Sequence, residues 1–272
     1  MSPALAPSND RPWMMRTQPL WLREKLFWKV YRHRLQQWQA LFRWAPLEFA
    51  PSAGLTLVET DISHQQIALC GFYELAVSRQ IQRLAQAGGL MIDVGANYGY
   101  YAALWAAARS DNQVYAFEAV PTNLSALQTN LDQNGFSQQV QTYGVAVGQV
   151  SGKQRFALGP QPQTGWGGFS SEQGEGTIEV EVTSLADFFQ RVEPTGHTTV
   201  LKVDVEGADT WVLQGAEPLL RSRTIEHIFF EENIPRLLAL GIVPGTAQQL
   251  LQACGYRLKE LAPGQWYAQV SR

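Results

Sequence analysis

From residue 88 onward, short apolar runs alternate with longer stretches in which apolar residues recur every three or four positions. The first pattern is that of buried strands, the second that of helices with one face turned inward. Strands are predicted over residues 90–94, 113–117, 140–147, 199–205, 225–231, 256–261 and 266–270. The spacing predicts helices over 99–109, 122–134, 184–191 and 210–220, with two more after Pro235 and Pro244. Strand and helix in this alternation imply an α/β fold, a parallel sheet covered on both faces. Ala262, Pro263 and Gly264 leave room only for a hairpin, so the last strand is expected to run antiparallel to its neighbours.

The rest of the chain departs from that rhythm. A strand is expected near 55–60 and a helix near 72–87, stopped by Gly88 and Gly89. Over 148–182 the pattern becomes β-type and Gly-rich, with Gly165, Gly167, Gly168, Gly174 and Gly176 around Trp166 and Phe169. This reads as a hairpin and loop inserted into the body, with 163–176 as the lid or acceptor-binding loop. Residues 1–19 are rich in Pro and Ser and are expected to be mobile. Over 20–44, Phe27/Trp28, Tyr31, Leu35, Trp38 and Leu41/Phe42 share one face, and Lys25, Lys29, Arg32 and Gln36 another. That predicts one amphipathic helix, ended by Pro46 and Pro51. The chain thus divides into an extension, 1–50, and a domain, 51–272.

Charge sharpens the division. The formal net charge is −3, from 21 Lys/Arg and 24 Asp/Glu in 272 residues, but residues 1–50 hold 8 of the basic and only 3 of the acidic ones. An acidic body argues against nucleic acid as the partner, while a basic, Trp-rich arm fits a membrane surface, a second subunit or the body itself. Cys70 and Cys254 lie far apart and outside any Cys/His cluster, which excludes a zinc site and a disulfide framework. No apolar run approaches the roughly 20 residues that span a bilayer. The opening lacks the pattern of a secretory signal, so the expected location is the cytoplasm, with the arm at the inner membrane face as a variant.

The candidate chemistry sits at strand ends. In IDVGANYGYY (residues 92–101) a buried strand enters a helix through Gly95 and Gly99, where ligands of open α/β sheets bind. The spacing is not that of a dinucleotide fingerprint, since Asn97 stands where a second glycine would be. Glu118 ends the next strand, where an acid can accept hydrogen bonds from both hydroxyls of a ribose. A nucleoside pocket follows, with Asp93 toward the ligand's amino group, directly or through water.

These segments, with VYAFEAVPTNLSALQTNL (114–131), VEVTSLADFF (180–189) and LKVDVEGADTWVLQGAEPLL (201–220), resemble the FkbM family of S-adenosylmethionine-dependent methyltransferases. The resemblance covers residues 71–272. It implies a seven-stranded class I methyltransferase sheet, Rossmann-like, with an antiparallel last strand. It further implies that Asp93, Gly95, Asn97 and Gly99 surround the methionine part of the cofactor, that Glu118 holds the ribose, and that Gly144, Val145 and Ala146 lie beside adenine. The acceptor it implies is a small molecule or glycan: a hydroxyl on a sugar or polyketide-like compound.

A second acidic group ends the later strands. Alternation sets Lys202, Asp204 and Glu206 on one side of their strand, an expensive arrangement in a core without partners, so they are expected to line the mouth of the active site. Asp204 or Glu206 would be the general base, with Lys202 paired to a carboxylate. Asp204 with Glu232 and Asn233 of the next strand also resembles the Mg²⁺ site of catechol-type O-methyltransferases, although Gly207 stands where such enzymes carry a lysine. Tyr98, Tyr100, Trp166 and Phe169 could exclude water. His33, His64, His197 and His227 read as structural, and Ser170 and Ser171 lack a nucleophile elbow. Two other functions stay open at this point: a nicotinamide-dependent oxidoreductase, which leaves Asp204 and Glu232 without a role, and a non-catalytic cofactor-binding scaffold recruited by the arm.

Overall fold

The computed structural model describes residues 11–160, 163–170, 176–192 and 197–271. Residues 1–10, part of the segment expected to be mobile, lie outside that set, as do 171–175 of the expected lid. Seven strands form the main sheet: β1 (Leu90–Val94), β2 (Gln113–Phe117), β3 (Val140–Tyr143), β4 (Thr198–Val203), β5 (His227–Glu231), β6 (Tyr256–Ala262) and β7 (Gln265–Val270). Their order is β6-β7-β5-β4-β1-β2-β3. β7 pairs antiparallel with both β5 and β6, and the β5-β4-β1-β2-β3 pairings are parallel. The order turns at β1 and β4, and that switch point puts the loops after these strands at the floor of a crevice.

The helices, in chain order, are α1 (Trp13–Thr17), α2 (Leu20–Lys29), α3 (Ala40–Arg43), α4 (Ile62–Cys70), α5 (Leu75–Ala85), α6 (Tyr100–Ala108), α7 (Pro121–Asn134), α8 (Leu185–Arg191), α9 (Asp209–Gly215), α10 (Glu217–Arg221), α11 (Ile234–Ala239) and α12 (Thr246–Ala253). Alternate residues of each strand feed two cores. Met91, Val200 and Phe229 pack with α4, α5 and α6, whereas Ile92, Leu201 and Phe230 pack with α8, α9 and α12. A smaller sheet joins Ala146–Val147, Thr177–Thr183, Gly152–Ala157 and Gly168–Phe169 in that order. It is the β-type insert seen in the sequence.

Four expected elements come out differently, each for a local reason. The strand expected over 140–147 breaks after Tyr143, and Ala146–Val147 joins the small sheet instead. The helix expected over 210–220 divides at Ala216, because Pro218 has no N–H to continue it. Of the strand expected over 55–60 only Gly54–Leu55 forms, and α4 follows, its N-terminus capped by Asp61, whose Oδ1 accepts from the His64 N–H at 3.0 Å.

The fourth is the arm. α2 ends at Val30 (φ −127°, ψ −59°), and two 3₁₀ turns, Tyr31–His33 and Leu35–Trp38, replace the expected continuous helix. The curled path lets Met15, Phe27, Leu41 and Phe42 reach the core that holds α4 and α5. Each such burial contributes about 1.5–3 kcal/mol, so the arm is docked on the body along its inner face.

Candidate active site

The loop after β1 is built by its backbone. Gly95 (φ +80°) and Gly99 (φ +90°) take the left-handed conformation that favours glycine, and Asn97 (φ +49°) takes it too. The N–H groups of Gly95 and Ala96 both donate to the Phe117 carbonyl at 3.0 Å, which ties the loop to the end of β2. A Cβ on Gly95 would lie 2.0 Å from the Asp204 carbonyl oxygen, so this loop and the one after β4 touch without a side chain between them.

Glu118 closes one side of this floor. Its Oε2 accepts from the Asn97 N–H at 2.8 Å and its Oε1 from the Val120 N–H at 2.9 Å. With the Asn123 side chain as a third partner, the carboxylate still keeps a lone-pair direction for a ligand hydroxyl. Burial pushes the carboxyl up to about 7, against the pull of those two N–H groups and the Asn123 side chain.

The second acidic group is larger than the sequence reading made it. Lys202 is 4% exposed, and its Nζ lies 3.2 Å from Asp204 Oδ2, 3.9 Å from Glu74 Oε2 and 5.0 Å from the Tyr101 ring centre. Burial works against its charge, but Asp204, Glu74, Asp93 and Asp209 together hold it above its usual value. Glu74 (φ +42°) accepts hydrogen bonds from the Tyr101 hydroxyl at 2.6 Å and the Gln265 amide at 2.5 Å. Asp209 accepts from the Glu231 N–H at 2.9 Å and is pushed by burial, then by Asp204, up to about 7. Glu206 (φ +54°) pairs with Arg236 at 3.1 Å and also rises to about 7, through burial and Asp204. Glu231 rises to about 8, by burial and then by Asp204 and Glu74.

One cleft collects these loops. It encloses about 1120 Å³ of empty space, part of it open to solvent. Gly95, Asn97, Glu118, Val145, Asp204 and Glu206 line it, as expected from the sequence. Tyr98, Tyr100, Trp166 and Phe169 line it as well. Asp93, Gly99 and Lys202 stand behind that wall. Asp93 is 2% exposed, pushed up by burial to about 7 despite Lys202 beside it, and its Oδ2 has no hydrogen-bond partner among the described residues.

The metal set does not assemble. Glu232 Oε1 accepts from the Gly245 N–H at 2.7 Å and Oε2 from the Gln248 amide at 2.9 Å, which commits the carboxylate to the approach to α12. Strand alternation explains this: Lys202 pairs with Phe229 in the register of β4 and β5, so Glu231, not Glu232, shares the face of Asp204. Asn233 caps α11 by position and does not line the cleft. The cation beside Asp204 and Glu74 is the ammonium of Lys202. Among the described residues no group of three or more His, Cys, Asp and Glu is arranged to hold a metal ion.

The insert is fastened over the cleft at Thr164. Its N–H and hydroxyl donate to Asp61 Oδ2 at 2.7 and 3.1 Å, its carbonyl accepts from the Asn123 amide at 3.0 Å, and its hydroxyl lies 3.3 Å from the Asn97 amide. His64, assigned a structural role from the sequence, lines the same cleft. Its Nδ1 accepts from the Val58 N–H at 3.2 Å, so the ring proton sits on Nε2, 3.5 Å from the Thr164 hydroxyl. Burial lowers its pKa against the pull of Asp61, which keeps the ring neutral. Asp61 before a helix start was a readable cap signal; Glu74 and Asp209 gave none, because their roles depend on contacts across the sheet.

Comparison with known proteins adds a family. A family model described as the methyltransferase FkbM domain matches residues 93–258. A protein called Methyltransferase 1 from Beauveria bassiana is 22% identical over 178 residues, 59% of this chain and 68% of that protein. A crystal structure of a methyltransferase FkbM from Methylobacillus flagellatus covers 91% of this chain at 14% identity with a TM-score of 0.46, and this chain spans 60% of that one. An O-methyltransferase from Bacillus cereus in complex with SAH covers 74% of this chain and 83% of that one, at 10% identity and a TM-score of 0.41.

Proposed function

This chain belongs to the FkbM methyltransferase family, and from that premise we propose that it transfers the methyl group of S-adenosylmethionine to a hydroxyl oxygen of a sugar, glycan or polyketide-like acceptor. The cleft walls support this: backbone turns and Glu118 on one side, Asp204, Glu206 and Glu231 on the other. The family match displaces the nicotinamide reading, which the loop after β1 already fitted poorly. Residues 51–272 carry this chemistry in our reading, and 1–50 lie outside it.

The residues present fit the cofactor. Glu118 keeps a lone-pair direction toward the cleft, beside a floor left bare by Gly95, and Val145 supplies an apolar wall. A carboxylate-lined pocket also suits a ligand with a sulfonium and an ammonium. When bound, the cofactor supplies an electrophilic methyl on a positively charged sulfur. Gly95 and Asn97 would hold its amino-acid end, with Asp93 acting from behind the wall through water.

The chain's own part is to orient the acceptor oxygen and take its proton. We assign the proton to Asp204, which faces the cleft with Lys202 at 3.2 Å behind it. Glu206 and Glu231 would accept hydrogen bonds from neighbouring hydroxyls of a polyol. Three carboxyls on the acceptor side also disfavour phosphorylated or carboxylated acceptors, whose charge they would repel. Thr164 and Trp166 hold the insert across the mouth and exclude water.

The test is labelled methyl transfer from S-adenosylmethionine to a panel of neutral, cationic and anionic hydroxylated acceptors, with cofactor binding followed by calorimetry. Asp204→Asn is expected to lower kcat by about 10²–10⁴-fold and to leave cofactor affinity within a few-fold. Cofactor binding without transfer to any acceptor would sink the catalytic assignment; binding of NAD alone would sink the whole reading.

A further inference from the structure

The outward face of the arm carries chemistry that the cleft does not use. α2 is docked by its inner face: Phe27 is fully buried, Arg23 pairs with Glu48 at 2.7 Å, and Glu24 accepts from the Gln66 amide of α4 at 3.1 Å. The opposite face stays outside. Trp21 and Trp28, two helical turns apart, are 54% and 43% exposed, and α1 adds Trp13 at 65% and Met14 at 38%. Isolated surface apolar residues are ordinary, but three exposed indoles on two consecutive helices mark an interaction surface.

The charges among them have one sign. Lys25 lies between the two tryptophans, its Nζ 5.2 Å from the Trp21 ring centre, and the Arg32 guanidinium lies 5.5 Å from that of Trp28. Arg16, Lys29 and Arg34 are also exposed. The two carboxylates in residues 11–50, Glu24 and Glu48, are both turned to inner-face partners. Ring and cation alternate along 21, 25, 28 and 32, the first three on α2 and Arg32 in the 3₁₀ turn that follows it.

We propose that this face docks on the surface of an anionic phospholipid bilayer, with Trp13, Trp21 and Trp28 at the headgroup boundary and the Lys and Arg side chains on lipid phosphates. An interfacial helix needs this pairing of indoles with cations, and each exposed cation strengthens attraction to anionic lipid. A second copy of the chain would set the same cations against one another. A nucleic acid would meet them beside a body that holds 13 of the 21 basic and 21 of the 24 acidic residues. α2 rests on α4, and Ser63 and His64 of α4 line the cleft, so docking would hold the cleft at a fixed distance from the bilayer.

The test is flotation of the full chain with vesicles of phosphatidylcholine, or of phosphatidylcholine with about a third phosphatidylglycerol. Flotation is expected with the anionic vesicles only, reversed by high salt. The double variants Trp21→Ser/Trp28→Ser and Lys25→Gln/Arg32→Gln should each lower partitioning about tenfold or more, with thermal unfolding and S-adenosylmethionine binding unchanged. No flotation with anionic vesicles overturns the proposal, as does flotation that both doubles retain. A dimer that the tryptophan double dissociates, or RNA binding that the Lys25/Arg32 double abolishes, each without vesicle binding, assigns the face to another partner and overturns it too. Should a double variant fail to fold, the lipid-charge and salt dependence of the unaltered chain decides.

Discussion

The cleft and the arm carry opposite charge, and they carry it in opposite ways. Behind the cleft wall, Asp93, Lys202 and Asp209 are buried and the Glu74 side chain is 9% exposed, and all but the Asp93 Oδ2 side are bound to named neighbours. In the arm, Arg16, Lys25, Lys29, Arg32 and Arg34 stand in solvent. Buried charge is conditional: with carboxyls pushed up to about 7 and, at Glu231, about 8, the number of protons held depends on what else enters. Solvated charge is permanent and acts only within a screening length. One region is tuned to respond to a ligand, and the other to be attracted regardless of one.

The strongest attempt to break this contrast is to delete one cation from each region. Lys202→Met leaves Glu74, Asp93, Asp204 and Asp209 facing one another and should destabilise by about 3–5 kcal/mol. The loss should be smaller at pH 5.5 than at pH 8, because the carboxyls take up protons in its place. Urea titration at the two pH values measures both.

Next is the pH dependence of the unaltered protein without ligand. The raised carboxyls bind more protons in the folded than in the unfolded chain between about pH 4 and 8. Their contribution is complete below that window and is lost as pH rises through it. Thermal unfolding should therefore fall from pH 5.5 to pH 8, and Glu231→Gln should flatten the fall by roughly 1 kcal/mol. A slope of the opposite sign would mean that the cleft carboxyls are not held up by burial.

The smallest effect sharpens the other side. Lys29→Met, on the arm, should change stability by less than about 0.5 kcal/mol at any of these pH values. A change as large as that of Lys202→Met would mean that the arm's charges are structural.

Much of this was legible in the residues, and the losses have a common cause. β1 and β2 emerge with the bounds read from their apolar runs, because strands buried on both faces leave an uninterrupted signal. The antiparallel β7 followed from a hairpin too short for any other connection. That Gly95, Asn97 and Glu118 line one cleft was readable because the loops after β1 and β2 are local in sequence. What was not readable depends on register. Choosing Glu232 over Glu231 was a slip of one residue, which alternation counted from Lys202 and Phe229 would have corrected. Glu74, 128 positions before Lys202, had no pattern at all to announce it. The arm's break at Val30 has no Gly or Pro to mark it and follows from docking, a tertiary effect that periodicity does not contain.

Thr164 joins the insert to three separate elements through one amide, one hydroxyl and one carbonyl. Gln163 adds to the clasp, accepting from the Ile62 N–H at 3.1 Å and donating to the Thr60 carbonyl at 3.3 Å, and the Trp166 carbonyl accepts from Arg236 at 3.2 Å. Gly168 and Phe169 are paired with Ala157 and Phe156, and Gly167 has no room for a side chain, so the Trp166 side chain, which lines the cleft and is 43% exposed, is the part that can be exchanged while the attachment stays. The floor has no such freedom, since even a methyl group on Gly95 would collide with the Asp204 carbonyl. On the proposed function, diversification of acceptors across such a scaffold should run through position 166, with the floor at Gly95 inherited unchanged, and exchanging that one side chain is the direct engineering use of the asymmetry.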